Sequence, residues 1–272
     1  MGASTPRLYD ESVQPLFHRD EDLFVPEPTT GTPWGENMLH GRLISALAAR
    51  AVEREYADAD FQCVRLTVDL FRAAAIAPLR LSTRPVREGR RVRAIDVAVE
   101  SQGRAVARAS ALLLRRGSEP PVRPWQAPEW DAPPPAALAP EDTLESRYMP
   151  VETRSVVEGG YRAAGRKRLW IRELCQLVAG EAWTPLTRTA AVADLTNMLA
   201  NTDEQPNHFI NADVTLYLGR LPVGEWIGLD VAGHVSRDGI ATAACDIYDP
   251  GGRCGTAMVG ALAAPAPVQL PT

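Results

Sequence analysis

Three residues in two well-separated stretches, His40, Gly41 and Asp194, have the types to serve one site together. His40-Gly41 opens an amphipathic stretch, Asp194 closes the apolar run Ala190-Ala191-Val192-Ala193, and Asn211 follows in Phe209-Ile210-Asn211-Ala212-Asp213. A carboxylate among apolar neighbours is costly to bury without a partner or a purpose. Orienting and deprotonating a water is such a purpose. A glycine early in a helix could offer an amide to a developing oxyanion with no side chain to block close approach, since helix N-terminal N–H groups lack intrahelical acceptors. Asn197, three residues past Asp194, is expected on nearly the same helical face. Thr256 is the hydroxyl of the last apolar stretch, and both residues are assigned to substrate binding. His40 either polarises a carbonyl or satisfies a loop oxygen.

These residues need elements to hold them. Helical spacing of Leu39, Leu43, Leu47 and Val52 predicts a helix over 36–56, and its alanines imply close packing on a flat surface. Alternating patterns predict strands at 61–72, 78–86, 91–100 and 105–114, joined by short Gly-containing turns. After a Pro-rich stretch the layout restarts. Strands are expected at 151–158 and 168–172, then a helix over 184–201 with Thr184 as N-cap and Pro185 at its first position. Further strands follow at 209–218, 225–236, 240–248 and 254–262. The turn Arg87-Glu88-Gly89 is echoed by Arg237-Asp238-Gly239 about 150 residues later, which predicts a duplication. The class is therefore α+β, with domains at 18–117 and 151–264 joined by a linker at 118–150. Trp125 and Trp130 imply a linker that packs on a surface.

The chain has 272 residues, 45% hydrophobic and 23% charged, enough for one large or two ordinary domains. Its net charge of −5, with basic residues dispersed among acids, argues against a nucleic-acid footprint. No apolar stretch approaches the roughly 20 residues of a membrane span. Four cysteines without CxxC spacing, and no signal-type apolar run at the start, give the expectation of a reducing cytoplasm. No metal site is expected.

The residues also resemble a known family. TTGTPWGENMLHGRLISALAARAVE, followed by VRLTVDLFRAAAIAPLRLSTRPVREGRRV, resembles the first half of the acyl-CoA thioesterase-like proteins common in actinobacteria. LWIRE, AVADLTNML and FINADVTLYLGRLPVGEWIGLD resemble their second half, which is similar to type II acyl-CoA thioesterases. The likeness spans roughly residues 18–264. It implies a double hot-dog fold, in which each of two tandem domains wraps an antiparallel sheet around a long helix. It also implies hydrolysis of acyl-CoA to free acid and coenzyme A, with coenzyme A as part of the substrate and no other cofactor. In hot-dog thioesterases the glycine-bearing end of one helix faces an acid on the neighbouring domain's helix. Gly41 and Asp194 match that pairing within one chain, with the acyl group expected in an apolar tunnel between helices and sheets.

Two departures leave alternatives open. In type II thioesterases the acid works with a Thr on the next strand and a Gln on the last. Here Asn211 takes the Thr position, and 253–262 contains no Gln. A non-catalytic acyl-CoA or lipid-binding protein is the first alternative. Glu36 and His40 resemble, with altered spacing, the motif of hot-dog enoyl-CoA hydratases, which makes hydration or dehydration the second. Arg42, Arg50, Arg54, Arg72, Arg166, Lys167 and Arg168 are the cations available for the phosphates of coenzyme A. Sheet edges leave a homodimer open.

Overall fold

Strand alternation and two helices build one continuous curved sheet around a helical pair. The computed structural model describes residues 14–127, 130–141, 149–158, 160–204 and 207–265. The first half contributes β1 (Phe17–Asp20), β2 (Leu23–Pro26), a small ribbon of β3 (Gly31–Thr32) with β4 (Gly35–Leu39), and helix α1 (Gly41–Tyr56). It continues through β5 (Phe61–Leu70), β6 (Leu79–Glu88), β7 (Val92–Ser101) and β8 (Arg104–Arg115). The second half contributes β9 (Val151–Ser155), β10 (Arg168–Glu173), α2 (Pro185–Asp194) and α3 (Thr196–Ala200). Then come β11 (Phe209–Asn211), β12 (Asp213–Leu218), β13 (Trp226–Arg237), β14 (Ile240–Asp249) and β15 (Gly252–Ala263).

The duplication is visible in the strand order. It runs β1-β2-β6-β7-β8-β5 and then β12-β15-β14-β13-β10-β9, so the second half retraces the first outward from a β5–β12 seam. At that seam Leu66 pairs with Leu216 and Val68 with Val214, all antiparallel. Each half wraps its sheet around its own helix, and the whole is a double hot dog. Period-2 alternation buries Ile95, Val97 and Val99 of β7 and Ala243, Cys245 and Ile247 of β14 on the inner face.

Helix α1 is buried along its length from Arg42 to Val52. Ala46, Ala48 and Ala49 of α1 and Ala190, Ala191 and Ala193 of α2 are buried, so small side chains let helices and sheet approach closely. Buried Leu43, Ile44 and Leu47 contribute about 1.5–3 kcal/mol each. Thr184 caps α2 through a capping box with Thr187, and Pro185 occupies the first turn. The Thr184 hydroxyl also donates to Glu53 near the far end of α1. The two helices therefore lie antiparallel, with the start of α1 beside the end of α2.

Three expectations are corrected here. Residues 35–39 form β4 rather than the opening of α1, because the backbone is drawn into the ribbon where Gly31 pairs with Leu39. The second helix breaks after Asp194, where the Leu195 amide reaches Val192 O at 3.0 Å, a 3₁₀-type closure that tightens the last turn. In the linker, Trp130 packs at a tilt against Trp170 and Tyr248 with ring centres 4.6 and 4.5 Å away, whereas Trp125 is 84% exposed. Linker residues 128–129 and 142–148 lie outside the described residues.

Candidate functional site

The N-cap of α1 is His40, whose extended backbone turns the chain from β4 into the helix. Its Nδ1 accepts the Arg42 amide at 3.3 Å, and its own amide donates to Thr30 O at 3.0 Å. Burial, with the nearby Arg42 charge, holds the imidazole down to about 3, so it is neutral at neutral pH. With Nδ1 occupied as an acceptor, the ring proton resides on Nε2. Gly41 follows as the first helical residue. Among the described residues its amide has no acceptor, as expected of a first-turn N–H.

Asp194 is the last residue of α2 and is only 4% exposed. Burial pushes its carboxyl up to about 6, against the opposing pull of the Asn211 hydrogen bond and the Arg42 charge. The carboxyl also lies at the negative end of α2 and faces the positive end of α1, two influences of opposite sign. A methyl group placed on Gly41 would stand 3.6 and 3.8 Å from Asp194 Oδ1 and Oδ2, and 3.0 Å from Leu70 Cδ1. The methyl would thus touch the carboxylate at van der Waals distance and press on the end of Leu70. His40 Nδ1 lies 3.9 Å from Asp194 Oδ2, too long for a direct hydrogen bond.

Asn211 ends β11, one residue before the chain resumes as β12 at Asp213. The intervening Ala212 holds the seam: its amide donates to Gly260 O, and its carbonyl accepts from Leu70 N, each at 2.8 Å. That irregularity presents Asn211 to the acid, and its Nδ2 donates to Asp194 Oδ1 at 2.8 Å. Opposite Asn211 on β15 stands Ala261. His40, Gly41, Asp194 and Asn211 all line one cavity of 230 Å³, together with Ile44, Leu70 and other apolar residues.

The other assigned residues lie elsewhere. Asn197 falls beyond the helix break, where its Nδ2 donates to Phe209 O at 2.9 Å and its Oδ1 accepts from Asn201 at 2.8 Å. It anchors the strand that carries Asn211 and does not line the cavity. Thr256 donates to Asp246 at 3.1 Å and accepts from Arg253 at 2.9 Å on the sheet. Glu36 is exposed on β4 and is absent from the cavity wall, which removes the hydratase-like acid.

Most of the candidate cations are already paired. Arg50 and Arg54 bind Glu181, Arg166 binds Asp230, Arg168 binds Asp131, and Lys167 donates to Thr202 O. Arg42 is fully buried and grips Glu173 through two hydrogen bonds of 2.6 and 3.0 Å. This pair, which local sequence does not reveal, ties the helix carrying the free amide to β10 of the other half. Breaking such a buried pair from one side costs about 3–5 kcal/mol. Arg72, exposed on the cavity wall, has no carboxylate partner among the described residues.

The opposite end of the helix pair is differently equipped. Pro185 opens α2 and has no amide proton to offer. The cavity there is lined by Arg50, Glu53, Arg54 and Glu181, whose charges are bonded to one another or to Thr184. The fold is duplicated, and this constellation is not.

Comparison with known proteins accords with this architecture. Residues 30–114 match the family described as the acyl-CoA thioesterase N-terminal domain, and residues 119–256 that described as the acyl-CoA thioesterase C-terminal domain. A tesB protein from Mycobacterium avium subsp. paratuberculosis superposes with a TM-score of 0.66 at 18% identity, over 89% of this chain and 93% of that one. A hot-dog protein of unknown function from Alicyclobacillus acidocaldarius gives 0.70 at 16% identity, over 92% and 96%. An acyl-CoA thioesterase II from Mycobacterium marinum gives 0.62 at 14% identity, over 93% and 94%. At such identities the likeness is one of fold. No curated protein matches the chain. With both of its halves matched in order, the chain belongs to the acyl-CoA thioesterase family of hot-dog proteins.

Proposed function

We propose that the chain hydrolyses acyl-CoA thioesters to the free acid and coenzyme A in the cavity between its two halves. The observation that carries this reading is the approach of Asp194 to the open amide end of α1, with no side chain at Gly41 to separate them. Asp194, anionic above about pH 6, takes a proton from a water whose oxygen attacks the thioester carbon. Asn211 steadies that carboxylate through Nδ2, and its Oδ1 remains to accept from the same water. The carbonyl electrons move onto oxygen, where the Gly41 amide and the neutral His40 Nε2–H stabilise the charge. The C–S bond then breaks, and the departing thiolate receives the proton held by Asp194. Arg72 at the mouth pairs with a phosphate of coenzyme A.

One observation favours binding without turnover: the wall opposite Asn211 is apolar, with Ala261 across the ladder and Leu262 on the cavity surface. A single experiment separates the readings. Incubated with acyl-CoA in ¹⁸O-labelled water, the protein is expected to release thiol and an acid carrying one ¹⁸O in equal amounts. Binding of acyl-CoA with neither product would refute hydrolysis. Addition of water to an enoyl-CoA without thiol release would move the chain to the hydratases.

A further inference from the structure

The cavity sets a limit on the acyl group. We infer that this site takes short acyl thioesters, with acyl groups of about four to six carbons, and excludes long fatty-acyl chains. The inference rests on the hydrolytic reading above and adds the substrate class.

Exposure gives the cavity its direction. Phe71 and Leu262 are 52% and 50% exposed and form the mouth, whereas Leu39, Ile44 and Asp194 are buried and form the closed end. The carboxyl and the open amide therefore sit deep, and coenzyme A must enter from the mouth. The reacting carbonyl, the attacking water and the acyl chain then share the same 230 Å³. A cavity of about 150 Å³ holds the six carbons of benzene and a water occupies about 30 Å³, which leaves space for roughly eight heavy atoms. The carbonyl group and sulfur use three of these, leaving about five carbons of chain. A dodecanoyl chain alone needs about 300 Å³ on the same scale.

Among the described residues, the packing beyond the closed end does not relieve the limit. Leu43, Leu47, Val52, Leu66 and Val68 are packed to 2% exposure or less between α1 and the sheet. The space between helix and sheet, where an apolar tunnel was expected, is filled there by these side chains. Ile44 forms part of the closed end, so trimming it lengthens the usable space by up to three carbons.

The test is a chain-length series from acetyl- to palmitoyl-CoA, followed by thiol release. In parallel, calorimetry measures binding of the non-hydrolysable S-alkyl-CoA thioethers of the same lengths to the wild-type protein. The kcat/KM optimum is expected between butyryl- and hexanoyl-CoA, with dodecanoyl-CoA at least about tenfold lower. Thioether affinity should follow the same order. Ile44→Ala should move both optima two to three carbons longer, and the milder Ile44→Val about one. If no thioester is cleaved but thioether binding peaks at the same short lengths, catalysis fails and the size limit stands. Palmitoyl derivatives cleaved or bound as well as hexanoyl ones, or no binding at any length, would overturn it.

Discussion

Replacing Asp194 with Asn should make the protein more stable, by an amount that depends on pH. The site carries a carboxylate where burial disfavours charge, raising the group from an ordinary value near 3.8 to about 6. The folded protein thus holds this proton more tightly than the unfolded chain does. Between these two values the folded state progressively loses stability as pH rises, because ionising Asp194 costs more in the fold than in water. Linkage arithmetic puts the penalty at about 1 kcal/mol at about pH 4.5 and about 3 kcal/mol at about pH 8. Asn has the same shape, carries no charge, and still accepts from Asn211 Nδ2 through its Oδ1. The change in the Asp194→Asn stability difference between those pH values, about 2 kcal/mol, is free of any constant packing cost. At about 2 °C per kcal/mol for a chain of this size, the variant should gain roughly 4 °C in Tm relative to wild type across that range. Paired thermal melts and urea titrations at matched pH would measure it. A difference between the two proteins that stays constant with pH would refute the burial argument.

Other consequences follow from the same geometry. kcat/KM should rise with pH through about 6 and then level, because the base works only when deprotonated. Asn211→Ala removes the hydrogen bond that lowers Asp194, so this limb should move to higher pH, whereas an unmoved limb would detach Asn211 from the acid. Gly41→Ala puts a methyl 3.0 Å from Leu70 Cδ1 and 3.6 Å from Asp194 Oδ1, beside the amide, and should lower kcat by about 100-fold in a protein that melts normally. Full kcat in that variant would count against the amide's role. Arg72→Ala should raise KM for acyl-CoA about fivefold with little change in kcat, most visibly at low salt, since an exposed charge pair is weak and screened. An unchanged KM would place the phosphates elsewhere.

Much of the fold could be read in advance because duplication repeats its cues. The turns at Arg87-Glu88-Gly89 and Arg237-Asp238-Gly239, the Thr184 cap and the alternating strands are local signals, and local structure follows them. His40, Gly41, Asp194 and Asn211 do share a cavity wall, a grouping that the family resemblance had implied. What escaped depends on distant partners. The stretch 184–201 contains no Gly and no Pro after Pro185, so nothing local announced the break at Leu195. That break takes Asn197 away from the acid and gives it to the β11 backbone. The same limit hid Glu173, which meets Arg42 only because the fold brings the end of β10 to the start of α1. The Arg42–Glu173 pair also used up a cation that the sequence left free for phosphate. Thr256 was chosen as the hydroxyl of its strand, but strand register turns it to Asp246.

Thiol release by wild-type and Asp194→Asn proteins, side by side with acyl-CoA in excess, decides whether Asp194 is the base. Circular dichroism and melting confirm that both are folded. Turnover by the wild type and a loss of at least about 100-fold in the variant are expected, within the range that general-base catalysis contributes. A folded Asp194→Asn protein that releases thiol at the wild-type rate would contradict that role.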